Sequence, residues 1–296
     1  MRDFAITTDS NSDLPQKYID KYQVTIIPQY YSFGMTVYGD ELNMSPEEFY
    51  QKMSEGELPT SQANNPAVIE DKFTKILEQG KDIIHIAFSS ALSGSYNNVC
   101  MVAQELEEKY PDAKITIIDS LNATLAETIL VLEAYKCKDN GGSYEVVVDR
   151  VKSLIPYVNS FFVVDDLFHL LRGGRVNKTT AVVGSTLKLK PFMYIANDGT
   201  ISANGTFRGR KKAFTGLIEK MLDHMDDNPD PTLPICIAHG NCLVDAKAIA
   251  QKIMDTTPFK NIIINDISPS IGTHSGPGTV ALFFIGKETM EPKKKD

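Results

Sequence analysis

The sequence predicts an α/β protein of two domains, with a mainly parallel sheet in the first and a mixed sheet containing a hairpin in the second. Three observations carry that prediction. Up to about residue 136, short β-branched runs alternate with helix-length segments, the pattern of βαβ units. Beyond residue 158 the alternation gives way to strands joined through a tight turn, Lys190–Ile195 and Ile201–Ala203 flanking Asn197-Asp198-Gly199-Thr200. Between the two regimes Pro156 ends a helix, which divides the chain into residues 1–157 and 158–296.

Each element has its own local reason. Phe4–Thr8 reads as the first strand and Asp9–Pro15 as a polar turn, with Ser12 or Asp13 capping the helix that Pro15 begins. Val24–Pro28 is a second strand, Tyr30–Phe33 an aromatic extended segment, and Gly34–Asn43 a hairpin. Ser45-Pro46-Glu47-Glu48 is a capping box with proline at the first helical position. Leu58–Pro66 reads as a polar loop that ends in an Asn65 cap. Ile83–Phe88 is a buried strand that breaks into Ser89-Ser90-Ala91-Leu92-Ser93-Gly94-Ser95, with a helix following from Tyr96 to Tyr110. Lys114–Ser120 is the next strand, followed by an amphipathic helix over Thr124–Lys136, a Gly141-Gly142 break and a helix opened by Ser143.

In the second half Ser160–Asp165 is a strand that leads through Leu167–Leu171 into Arg172-Gly173-Gly174-Arg175, with a helical stretch over Ala181–Leu187. After the hairpin come a helix over Gly209–Met225, a strand at Pro234–Gly240 and a helix over Asp245–Asp255. A last strand pair, Ile262–Asp266 and Thr279–Phe284, brackets a loop over Ser270–Gly278.

With 296 residues, 42% of them hydrophobic and 23% charged, the chain has the composition of a globular protein large enough for two cores. A net charge of −8 argues against a nucleic-acid partner, and Lys293-Lys294-Lys295 reads as a solvated tail. Cys100, Cys137, Cys236 and Cys242 form no CxxC pair and read as reduced, mostly buried thiols. No signal-peptide apolar region follows Met1 and no apolar run is long enough to span a bilayer, so a cytoplasmic location is expected.

Several chemistries lack their motifs. HExxH, the Walker lysine loop, GxGxxG and the G-x-S-x-G elbow are all missing, so neither a metal nor a nucleotide cofactor is expected. What remains is a scattered set of small hydroxyls and one imidazole: Thr60-Ser61-Gln62, Ser93-Gly94-Ser95 and Thr273-His274. Such groups hydrogen-bond a carboxylate without burying a strong cation; each hydroxyl equally suits a role as a local turn cap. A Ser93–His274 pair offers a nucleophile and base for an acyl-ester hydrolase. Arg172 and Arg175 around a diglycine, with Arg208 and Arg210 further on, suit a phosphate or the surface of an acidic partner, as in a non-lipid regulatory module.

Taken together and in order, Asp9–Pro15, Pro59–Gln62, Ser89–Ser95, Asp119-Ser120, Leu171–Arg175, Lys190-Pro191 and Ile271–Gly278 resemble the DegV family along essentially the whole chain. The resemblance implies two α/β domains with a long-chain fatty acid between them, its tail buried and its carboxyl group at the junction. It also implies a non-catalytic subunit that presents the carboxyl group to a separate ATP-using fatty acid kinase subunit, which makes the acyl phosphate for phospholipid synthesis. Contact with a bacterial membrane would be transient, with no transmembrane segment. By motif match Thr60, Ser61, Ser93 and His274 are the carboxylate-binding residues, and Arg172, Arg175 and Arg208 face phosphate or the kinase subunit. Two departures stand out: Ala63 replaces the usual proline after Thr-Ser-Gln, and Leu121–Glu127 replaces a glycine-bearing helix start. They leave the preferred acyl length and unsaturation open.

Overall fold

The structure is a computed structural model that describes residues 2–176, 189–227 and 229–293. The helix expected over Ala181–Leu187, and Lys294 and Lys295 of the basic tail, lie outside the described residues. A four-stranded parallel sheet has the order β2-β1-β6-β7, built from β1 (Phe4–Asp9), β2 (Thr25–Ile27), β6 (Asp82–Ala87) and β7 (Ile115–Asp119). Every residue of β6 is buried, which explains why that strand reads as an unbroken apolar run instead of alternating. The chain leaves β1 toward β2 on one side, while β6 and β7 continue on the other. The carboxyl ends of β1 and β6 therefore flank a topological switch point, where open α/β sheets leave a crevice.

A six-stranded mixed sheet has the order β10-β9-β8-β13-β11-β12, formed by β8 (Val158–Val163), β9 (Leu189–Ile195), β10 (Ile201–Arg208), β11 (Ile235–His239), β12 (Ile262–Asp266) and β13 (Val280–Ile285). Only the β11–β12 contact is parallel, and the β9–β10 hairpin carries an irregularity between Ala203 and Thr206. The two final strands are not partners, because β11 lies between them.

Helix α5 (Leu125–Asp139) packs against strands of both sheets. The sequence suggests an amphipathic helix here; the structure buries it almost all round, from Leu125 through Val131 and again at Glu133–Tyr135. A helix buried on nearly every side lies inside, between two sheets, and this one carries Glu127 and Glu133 into that interior. The core it anchors is continuous, taking in Ile84 and Ile118 from one sheet and Phe162 and Phe283 from the other.

Two segments read as loops are ordered elements. Thr60–Gln62 is β5, which pairs with β3 (Tyr30–Phe33); β3 also pairs with β4 (Thr36–Tyr38), making a small third sheet. Backbone pairing of Tyr31 with Ser61 supplies the order that side-chain hydrophobicity does not. Pro269–Ser275 is a short helix, α10, preceded by Ser268 and carrying proline at its start. This is the same Ser-Pro opening that begins α2 (Pro46–Ser54), where the expected capping box forms through Ser45 and Glu48. The four cysteines are free, but only Cys236 is fully buried; the other three are partly exposed.

Candidate functional site: an amphipathic cavity between the sheets

The loop after β1 and the loop after β6 form one wall of a cavity through Asn11, Phe88 and Ser93; the opposite wall comes from the mixed sheet and α10, through Phe162, Phe283 and His274. The cavity leaves about 180 Å³ open to the centres of water-sized molecules. Its apolar lining includes Leu92, Ile195, Ile201, Ile267, Ile271 and Ala281. Ala63, Ala123 and Thr124 also line it, so both departures from the family pattern sit on the cavity wall. Thr124 holds a positive φ of 52°, as does Leu121 at 48°, placing backbone strain in the loop before α5.

Several polar residues of the lining are held together by direct contacts. Ser61 on β5 and His274 in the last turn of α10 meet through Ser61 Oγ and His274 Nε2 at 2.7 Å. Gly173 lies flat against the imidazole: a Cβ at that position would come within 2.0 Å of His274 Nδ1. Two residues on, Arg175 Nε donates to the Leu92 carbonyl at 3.1 Å, which brings the arginine beside Ser93. Arg172 Nη2 donates to the carbonyls of Pro59 at 2.7 Å and Thr273 at 3.2 Å. It thereby ties the residue before Thr60 to the residue before His274 and holds Ser61 and His274 in register.

The structure thus brings Ser61, Ser93, His274 and Arg175 to one cavity. Thr60 is not brought there. Successive strand residues face opposite ways, and the Thr60 hydroxyl bonds Ser32 at 2.8 Å on the far face of β5. Arg208 is exposed at the end of β10. Arg210 is committed to structure, donating to Asp165, Asp245 and the Gly278 carbonyl.

The proposed Ser93–His274 hydrolase pair does not form. Ser93 Oγ donates to Ser95 Oγ at 2.9 Å, and the imidazole is bonded to Ser61 instead. His274 Nδ1 has no hydrogen-bond partner, so the carboxylate that would orient a catalytic base is missing among the described residues. Burial first, then the nearby charges of Arg175, Arg172 and His169, push the His274 pKa down to about 3. The ring is neutral at physiological pH, a hydrogen-bonding group and not a cation. Ser93 does not cap α4 (Ser95–Lys109) in the usual way: Gly94 is the cap residue, and Ser93 Oγ accepts from the Ser95 N–H at 3.1 Å. The positive end of the α4 dipole is directed toward this loop.

Three further carboxyls, Asp9, Asp13 and Glu127, are buried outside the cavity lining. Asp9 accepts from the N–H groups of Asn11 and Phe88, both at 2.9 Å, yet burial raises its pKa to about 7. Asp13 and Glu127 are raised as well, chiefly by burial, with like charges adding to it. No group of three or more metal-ligating side chains occurs among the described residues. No helix among them is long and apolar enough to cross a membrane.

Among the polar lining residues that the sequence did not single out for the site are Asn11 and Gln29. Asn11 hides inside a turn pattern that suits capping. Gln29 follows Pro28 between an apolar strand and two tyrosines, and a lone amide in that setting was the available signal.

Fold and cavity together define a class: an α/β protein that encloses an apolar cavity with clustered, largely uncharged hydrogen-bonding groups at one part of its wall. The chain belongs to the DegV family. The family model described as "Uncharacterised protein, DegV family" matches residues 3–287. A DegV domain-containing protein of Clostridium perfringens is 37% identical over 295 residues, covering 99% of this chain and 100% of that protein. One from Lactococcus lactis is 33% identical, covering 97% and 99%. Among solved structures, a fatty-acid-binding DegV family protein from Thermus thermophilus superposes with a TM-score of 0.84 at 27% identity, covering 96% of this chain and 99% of that one. A stearic acid-binding protein from Eubacterium ventriosum gives 0.85 at 26% identity, covering 96% and 98%. DegV of Bacillus subtilis, a fatty acid binding protein, gives 0.82 at 26% identity, covering 97% and 100%.

Proposed function

We propose that this protein binds a long-chain fatty acid in the cavity and presents its carboxyl group to a separate ATP-using kinase subunit, which forms the acyl phosphate. The observation that carries the reading is the division of one cavity into an apolar lining and a cluster of Ser61, Ser93 and His274. The fatty-acid-binding structures that share the fold support it.

Each buried methylene contributes about 0.8 kcal/mol, so a long tail supplies on the order of 10 kcal/mol before ordering costs. The tail therefore provides affinity, and the hydroxyls and neutral imidazole select and aim the headgroup. The ligand lies between an N-terminal domain, residues 1–157, and a C-terminal domain, residues 158–296. Thr60 supports β5 through Ser32 on the face away from the cavity, while Arg172, Arg175 and the exposed Arg208 serve the phosphate or the kinase subunit. In this role the protein is a cytoplasmic carrier without catalysis of its own.

The test is delipidation, incubation with oleate, gel filtration and extraction of the protein peak. The reading predicts about one oleate per chain, and conversion to acyl phosphate once a fatty acid kinase subunit and ATP are added. Absence of any retained acyl chain would overturn the binding role. Retention without phosphorylation by any such subunit would overturn the presenting role.

A further inference from the structure

We propose that Gln29 is a headgroup-binding residue of the cavity, donating from its amide nitrogen to an anionic oxygen of the ligand. The inference rests on the fatty-acid reading and adds a residue to which no role has so far been attached.

Gln29 sits in the two-residue link between β2 and β3, with 3% of its surface exposed, and lines the cavity. Its backbone N–H is held by Ser10 Oγ at 2.9 Å, which fixes the residue at the carboxyl end of β1. The orientation of its amide follows from counting protons at Ser95. Ser95 Oγ accepts from Ser93 Oγ at 2.9 Å and from the Asn64 N–H at 3.3 Å. Its single proton goes to Gln29 Oε1, at 2.7 Å. With Oε1 so committed, the amide nitrogen is the free end, and Gln29 Nε2 is buried without a hydrogen-bond partner.

A buried donor left unpaired carries a desolvation cost that a bound acceptor removes. A wall that placed a free N–H beside an alkyl tail would keep that cost in the bound state. A carboxylate relieves it, and Ser93, two hydrogen bonds away through Ser95, is already part of the polar cluster. Gln29, Ser95 and Ser93 form a single relay, and a headgroup that draws the Ser93 proton away from Ser95 Oγ still leaves Ser95 donating to Gln29 Oε1. Arg175 commits Nε and Nη1 to the Leu92 and Gly173 carbonyls, which fixes its position beside this relay.

The test is a choice between headgroups on the same tail. Wild type, Gln29→Glu and Gln29→Leu are equilibrated at pH 8 with equimolar oleic acid and oleyl alcohol, separated by gel filtration, and the retained lipids quantified. Gln29→Glu keeps the acceptor for Ser95 but turns the free end into an oxygen, so the acid-to-alcohol ratio should fall at least about tenfold. Gln29→Leu should lower it about three- to tenfold by deleting the donor. A residue that only braced Ser95 would leave the ratio within about twofold of wild type in Gln29→Glu, and that result overturns the proposal. A second readout needs no variant: the Gln29 side-chain amide signal of ¹⁵N-labelled wild type should shift with oleate and not with oleyl alcohol. An unmoved signal in protein that demonstrably holds oleate also overturns it. If wild type retains neither lipid, the fatty-acid reading fails instead.

Discussion

Ser61 and His274 lie 213 positions apart in the chain, and their side chains meet at 2.7 Å on the cavity wall. The contact joins the small sheet around β3 to the short helix before β13, and it is a neutral pair, since burial keeps His274 uncharged. A double-mutant cycle with Ser61→Ala and His274→Ala, read by urea unfolding of the lipid-free protein, should give a coupling of about 0.5–1.5 kcal/mol. A coupling of about 3 kcal/mol or more would indicate a charged pair instead.

The diglycine of the Arg172–Arg175 turn should separate into two different roles. Gly173→Ala drives a methyl group into His274, so the ring must move and oleate affinity should fall at least about tenfold. Gly174 has a positive φ of 72° with open space around it. Its alanine variant should lose about 1–2 kcal/mol of stability from backbone strain and keep near-normal oleate affinity. Calorimetric melting and oleate titration of both variants check the contrast.

The buried carboxyls make stability fall as pH rises. Glu127 has its pKa raised well above the usual glutamate value, so its contribution is complete at acid pH, below the unfolded value. That contribution is lost as pH climbs toward the folded value. Gln mimics the protonated form, so Glu127→Gln should gain on wild type above about pH 4.5, at about 1.4 kcal/mol per pH unit until the folded pKa is reached. His274, with its lowered pKa, acts in the opposite sense: stability present above its unfolded value is lost as pH falls toward about 3. Urea unfolding of both proteins at pH 5 and pH 8 tests the first trend. A stability gap that does not widen at pH 8 contradicts it.

Ala123 and Ala281 are small residues on the cavity wall, each nearly fully buried. Enlarging either, as Ala123→Leu or Ala281→Leu, should shift retained lipid toward shorter chains, each excluded methylene costing about 0.8 kcal/mol. Competition among lauric, myristic, palmitic and oleic acids, with extraction and mass spectrometry, reads the shift.

How far the sequence alone reaches depends on where the order comes from. The parallel sheet was legible because β6 and β7 are apolar runs separated by helix-length segments. The capping box at Ser45 is likewise a local signal, and it forms as expected. Thr60–Gln62 was not legible as a strand, because three polar residues have no strand pattern of their own; their order comes from pairing with Tyr30–Ser32. That pairing also decides which way the hydroxyls point, and it turns Ser61 toward the cavity and Thr60 toward Ser32. The helix around His274 did have a signal, the Ser268-Pro269 opening, obscured by the glycines that follow. Gln29 was out of reach for a different reason: its meaning depends on the one proton of Ser95, a residue 66 positions away.

The most direct test of the account is a crystal structure of the protein with oleate. One acyl chain should lie in the cavity, its carboxylate within hydrogen-bond distance of Ser61, Ser93 or His274 and its tail among Phe88, Phe162 and Phe283. A carboxylate found at the opposite end of the cavity, or an acyl chain bound outside it, would contradict that claim.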